Sequence, residues 1–167
     1  MSLKIDNIQA ILAVDSHNGI AKNGYIPWKS KIDMEFFKNK TTNNIIIMGS
    51  KTLLSLPNSQ PLKNRKNIVI TNNIDKFSKI YTNCGEDIIF VSLKQVLEFM
   101  QNYKDKNTIF IIGGNQIFQQ LIPYCSIIWL TKIKHNYDCD LMFDYDISTY
   151  TKEVIYEDPE LEIMYLK

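Results

Sequence analysis

The chain has 167 residues, 45% of them hydrophobic, and a formal net charge of +1. That length and apolar content predict one globular domain over 1–167 with a substantial core, and the near-neutral balance, without a basic stripe or an aromatic-arginine cluster, excludes nucleic acid as an expected partner. The short apolar run at 11–14 is too brief for a leader or a membrane span, and Cys84, Cys125 and Cys139 build neither a disulfide framework nor a zinc set with His17 and His135, so the expectation is a cytoplasmic protein with reduced thiols, no metal and no membrane contact.

In chain order, residues 8–14 (IQAILAV) predict a first strand, apolar enough to be central in a parallel sheet. The stretch DSHNGIAKNG at 15–24 is rich in the Gly and Asn that favour turns, and its length predicts a binding or lid loop, closed by Pro27. A helix follows from near Ser30 to near Thr41. At about 100° per residue, Ile32, Met34, Phe36 and Phe37 form an apolar arc opposite Lys31, Glu35, Lys38 and Asn39. Asp33 falls within that arc, where a carboxylate without a partner is costly.

Residues 45–48 (IIIM) predict a strand buried on both faces, followed by Gly49, Ser50 and a short helical segment KTLLSL. A strand, glycine turn and helix start in that order offer free backbone N–H groups to an anion. After a loop at 57–64 and the pair Arg65-Lys66, NIVIT at 67–71 predicts a third strand. A polar stretch then leads to a fourth, IIFV at 88–91. Ser92 and Gln95 predict a capping box for a helix whose Leu93, Val96, Leu97, Met100 and Tyr103 share one face. A fifth strand, IFII at 109–112, runs into Gly113 and Gly114 and a helix with Ile117, Phe118, Leu121 and Ile122 inward, stopped by Pro123. A sixth strand at 127–133 and an antiparallel tail hairpin within 153–166 complete the chain. This rhythm predicts a single-domain α/β fold: a doubly wound, mostly parallel sheet with flanking helices and an antiparallel C-terminal edge hairpin, its ligands outside the carboxyl ends of the strands.

Taken singly, each candidate for chemistry has two readings. Asp33 is a ligand-binding acid or only a dipole partner near a helix start. Gly113-Gly114 is a cofactor approach or only a tight turn. Arg65 is a carboxylate clamp or half of a solvated pair, and Thr131 is a ligand contact or simple β-propensity. The ordered set is more specific: A-V-D, G-x-x-P-W, the acidic helix, I-M-G-S-K-T, R-K-N-I-V-I-T and I-I-G-G. With these motifs in this order, from about 8 to 166, the chain resembles dihydrofolate reductase.

The resemblance implies reduction of 7,8-dihydrofolate by hydride transfer from a reduced nicotinamide cofactor, NADPH with NADH left open, in a monomer that also binds antifolates. It implies catalytic roles for Asp33, which would hydrogen-bond the pterin and promote protonation at N5 through an ordered water, for Trp28, which would hold that water, and for Thr131, which would brace the network. Ile11, Ala13, Met34, Phe37, Leu56 and Ile112 would line the pterin and aminobenzoyl group, and Arg65 would clamp the glutamate carboxylate. The cofactor would meet Ala13, Ile20, Ala21, Gly49, Ser50, Lys51, Thr52, Thr71, Gln116, Phe118 and the pair Gly113-Gly114, often joined by a cis peptide in this family; Ile26 would close with the lid.

The chain departs from the family pattern at Phe118, where a tyrosine is usual, and at Ser50, Asn72 and Gln116, where basic residues are common, leaving Lys51 as a cation near the cofactor phosphate. Leu53 replaces a common tryptophan, and DLMF at 140–143 lacks the usual threonine; both read as packing changes. Two competing functions are a reductase of riboflavin synthesis, opposed by Arg65 and the Trp28 to Phe37 block, and a relative that binds ligand without turnover.

Overall fold

The computed structural model describes residues 3–167. The strands are β1 (Ile5–Val14), β2 (Gly19–Ala21), β3 (Ile45–Gly49), β4 (Lys66–Ile70), β5 (Ile88–Val91), β6 (Ile109–Gly113), β7 (Cys125–Ile133), β8 (Leu141–Met142), β9 (Lys152–Glu157) and β10 (Leu161–Leu166). The helices are α1 (Lys31–Thr41), α2 (Ser50–Ser55), α3 (Ile74–Ile80), α4 (Leu93–Gln101) and α5 (Asn115–Leu121). One eight-stranded sheet runs in the order β5-β4-β3-β6-β1-β7-β10-β9. Its first six strands are parallel, and β10 pairs antiparallel with both β7 and β9. The architecture is thus the α/β fold that the alternation of apolar strands and amphipathic helices predicts.

Successive side chains on a strand point to opposite faces, and this divides the core cleanly. Ile8, Ala10 and Leu12 of β1, Ile45 and Ile47 of β3, Ile109 and Ile111 of β6, and Ile128 and Leu130 of β7 meet Val96 and Met100 of α4 and Phe118 and Leu121 of α5. On the other face, Ile11, Ile46, Met48 and Phe110 meet Leu53 of α2 and Phe77 of α3. Trp28, Ile133, Leu161 and Ile163 extend that second face beneath α1, with Ile32 and Phe36 packed against them. Both faces of the parallel strands are covered, which explains their unbroken apolar runs.

Local chemistry sets the helix ends. The Ser30 hydroxyl accepts a bond from the Asp33 N–H at 3.2 Å and starts α1. The capping box at α4 is complete: the Gln95 N–H donates to the Ser92 hydroxyl at 3.1 Å, and the Ser92 N–H donates to Gln95 Oε1 at 2.8 Å.

Three features differ from the sequence reading. Met34 is 66% exposed, because at about 200° from the start of the arc it lies outside the buried face, whose members are Ile32, Asp33, Phe36, Phe37, Lys40 and Thr41. The polar stretch after β4 contains α3, docked mainly through Phe77. The lid loop contains β2, which pairs antiparallel with β8 through Gly19 opposite Met142 and Ala21 opposite Leu141.

Candidate active site

Ala13 of β1 lies opposite Thr131 of β7 in the central parallel pair. α1 packs over this part of the sheet and brings Asp33 to Thr131 and to Trp28, whose side chains both hydrogen-bond its carboxylate. Thr131 is 1% exposed and Trp28 is 6% exposed, the indole lying 5.7 Å from the Tyr137 ring. Burial pushes the Asp33 pKa up, and the bonds from Thr131 and Trp28 recover only part of that cost. A hydroxyl and an indole steady the acid without neutralising it, so the carboxylate keeps capacity for donors that a ligand brings.

Around it, Ile11 is buried and shares one apolar cluster with the partly buried Phe36, Leu56 and Ile112, while Ala13 packs with Trp28. Phe37 is half-buried on α1. Met34 faces solvent, so its proposed contact requires the ligand itself to cover it. Ile26 and Tyr25 on the lid are 64% and 62% exposed.

Nearby, Gly113 ends β6 and Gly114 caps α5, with a cis peptide between them. Gly113 has φ of 129°, a conformation side chains rarely adopt. Added Cβ atoms at Gly113 and Gly114 would each stand 3.6 Å from the Thr52 hydroxyl, and one at Gly113 would stand 3.5 Å from the Phe118 ring. Phe118 is 2% exposed and meets Phe143 edge to face. Gly49, before α2, approaches Ile117 so closely that a Cβ would lie 3.1 Å away. Ser50 is half-buried, Lys51 and Gln116 are exposed, and the nearly buried Thr71 hydroxyl accepts a bond from the Asn73 N–H at 3.0 Å. Asn115 Oδ1, at the start of α5, is the buried side-chain polar atom left without a partner among the described residues. Bare glycine backbone and an unsatisfied amide oxygen fit an extended ligand with its own donors.

Arg65 stands at the opposite end of the β3–β4 pair, before the first residue of β4, rather than outside a strand's carboxyl end. Its Nε donates to the Lys63 carbonyl at 2.9 Å and its Nη1 to the Thr41 hydroxyl at 3.0 Å. Thr41 in turn donates to the Phe37 carbonyl at 2.8 Å.

In the sequence Asp15 closes the A-V-D motif at the head of the lid loop, with no role of its own assigned. Here it is fully buried: Oδ1 accepts from the N–H groups of His17 and Gly19 at 2.9 and 2.8 Å, and Oδ2 accepts from the Tyr137 N–H and the Cys139 thiol at 3.0 and 3.5 Å. Burial alone would raise the Asp15 pKa, but these donors together outweigh it and lower it. The same contacts leave the Cys139 thiol pushed up to about 11, first by burial and then by the Asp15 charge. An acid joining the end of β1, the lid and the 135–139 segment has no complete local signature, since two of its partners, Tyr137 and Cys139, lie more than a hundred residues away.

Comparison with known proteins agrees with this fold. A family model described as dihydrofolate reductase matches residues 7–160. A dihydrofolate reductase of Bacillus subtilis is 36% identical over 136 residues, covering 81% of this chain and 74% of the relative. One from Ureaplasma parvum is 34% identical, covering 84% and 85%. The solved structure of dihydrofolate reductase from Enterococcus faecalis, complexed with NADP(H) and RAB-propyl, superposes with a TM-score of 0.77 at 29% identity over 95% of this chain and 93% of that one.

Proposed function

Because the chain belongs to the dihydrofolate reductase family, we propose that Asp33, steadied by Thr131 and Trp28, binds the 2-amino and N3 side of a dihydropterin and promotes protonation at N5 through an ordered water. The enzyme reduces 7,8-dihydrofolate to 5,6,7,8-tetrahydrofolate with NADPH, acting as a monomer in the cytoplasm. The observation that carries the Asp33 role is its setting: a carboxylate of raised pKa on the buried face of α1, held by a hydroxyl and an indole. Such an acid favours a ligand that presents N–H donors and takes up a proton.

Ile11, Leu56 and Ile112 form an apolar wall, which excludes water and strengthens the polar contacts at Asp33. Phe37 and Met34 flank the aminobenzoyl group, and the Arg65 fork matches the planar glutamate carboxylate. Gly113 and Gly114 present bare backbone, backed by Thr52 and Phe118, and the unpartnered Asn115 oxygen supports a ligand along this edge. Gly49, Ser50, Lys51 and Thr52 serve the pyrophosphate, Thr71 the adenosine phosphate, and Gln116 lies nearby, while Ala13, Ile20 and Ala21 border the nicotinamide. When bound, NADPH supplies a hydride from its C4 to C6 of the pterin.

The test is loss of reduced nicotinamide absorbance with dihydrofolate, using NADPH and NADH side by side, together with titration of a diaminopyrimidine antifolate. Turnover with NADPH and tight antifolate binding are expected. Antifolate binding without turnover would favour a binding relative instead.

A further inference from the structure

Asn67 is an asparagine 0% exposed inside β4, between Lys66 and the buried pair Ile68 and Val69. A buried amide must be fully engaged to be tolerated, and this one is. Its Oδ1 accepts from the Leu62 N–H at 3.0 Å, and the two hydrogens of its Nδ2 are shared among the carbonyls of Leu62 at 3.0 Å, Arg65 at 3.0 Å and Asp87 at 3.2 Å. Every bond goes to backbone. Two of the anchored residues, Leu62 and Arg65, bracket the turn at 62–65, where Asn64 takes φ of 60°. The third, Asp87, is the residue before β5 and ties that turn to the neighbouring strand.

The side chain of Arg65 is held from the other direction. Lys63, inside the same turn, takes its Nε, and Thr41 at the end of α1 takes one Nη1 hydrogen. With backbone and Nε both fixed, the remaining guanidinium donors point in a defined direction before any ligand arrives. Pre-setting a planar fork reduces the ordering cost of a bidentate contact.

We propose that Asn67 is a positioning residue for Arg65: its amide locks the 62–65 turn so that the guanidinium, braced by Thr41, is pre-aimed at a ligand carboxylate. The role makes Asn67 a determinant of selectivity for carboxylate-bearing ligands over neutral ones occupying the same pterin pocket. The inference rests on Arg65 as the carboxylate clamp.

The test compares dissociation constants of two probes measured on the intact enzyme: a diaminopteridine bearing benzoylglutamate, and a diaminopyrimidine with no carboxylate. Asn67→Ser is expected to weaken the glutamate-bearing probe about tenfold while leaving the diaminopyrimidine within about twofold. In an Arg65→Gln background, Asn67→Ser should cause no further loss. Thr41→Val, which keeps the shape and removes the brace, should show the same selective loss and serves if Asn67→Ser does not fold. Equal weakening of both probes, or an Asn67→Ser loss that persists without Arg65, overturns the proposal in favour of a general structural role. If Arg65→Gln itself leaves the glutamate-bearing probe at native affinity, the carboxylate assignment fails. If Arg65→Gln weakens that probe and neither Asn67→Ser nor Thr41→Val does, the clamp stands and the positioning role falls.

Discussion

Replacing Asp33 with asparagine changes one ionisable group while keeping nearly the same shape. Burial raises the pKa of Asp33, and the bonds from Thr131 and Trp28 only partly offset it. Thr131 and Trp28 are both nearly buried and carry no titratable acid, so neither can substitute. The variant should therefore lose most of the proton-transfer contribution, about 10²–10⁴-fold in turnover at neutral pH, or about 3–5 kcal/mol of barrier. The loss should shrink by about tenfold per pH unit as the medium protonates the substrate directly. Stability should move the other way. A folded carboxyl with a raised pKa binds protons more tightly than the unfolded chain, so native stability falls as pH rises from the ordinary Asp value of 3.8 through the folded pKa, and the ionised form burdens the fold above it. Asp33→Asn removes that burden, and the ligand-free variant should melt higher at pH 7, by about 2–4 °C per kcal/mol relieved. Steady-state rates across pH and calorimetric melting of the same preparation measure both. Near-native turnover with a flat pH profile, or a lower melting temperature, would refute the assignment.

Asp15→Ala should destabilise the protein by about 2–4 kcal/mol in urea titrations, because it leaves buried donors from Gly19, Tyr137 and Cys139 unmet. Since the folded Asp15 pKa is lowered, its stabilisation is present above pH 3.8 and is lost as pH falls through the folded value; the acid-unfolding curve of Asp15→Asn should be shallower than native in that window. Gly19→Ala would drive a Cβ into the Cys139 Cβ, so it should lower the melting temperature, and Cys139→Gly in the same chain should restore part of the loss. Ser92→Ala should cost about 1 kcal/mol by removing a cap on the far side of the sheet, with kcat unchanged in the standard assay.

How much the sequence disclosed depended on how local the cause was. Ile45 to Met48 are buried on both faces and read as a central strand because nothing polar interrupts them. The Ser92 and Gln95 box closes within three residues, so its spacing reveals it. Asp33 was conspicuous as an acid amid apolar neighbours, and its position on the buried face follows from helical periodicity. The width of that face does not: Met34 is apolar yet points to solvent, whereas Lys40, a cation, covers the Trp129 ring at 3.7 Å. β2 needs β8, 120 residues further on, and three residues in a turn-rich loop carry no strand pattern. Asp15 and Asn67 were illegible for the same reason. Each is a turn-type residue whose burial is made tolerable in part by groups that the assembled fold brings within reach, Tyr137 and Cys139 for Asp15 and Asp87 for Asn67.

The most direct measurement follows the hydride itself. NADPH carrying deuterium in the transferable C4 position is incubated with the enzyme and 7,8-dihydrofolate, and the folate product is examined by mass and proton spectra. The account predicts one deuterium at C6 of tetrahydrofolate for each NADPH consumed. NADPH consumption without deuterium at C6, or no consumption in an enzyme that binds both ligands, would contradict it.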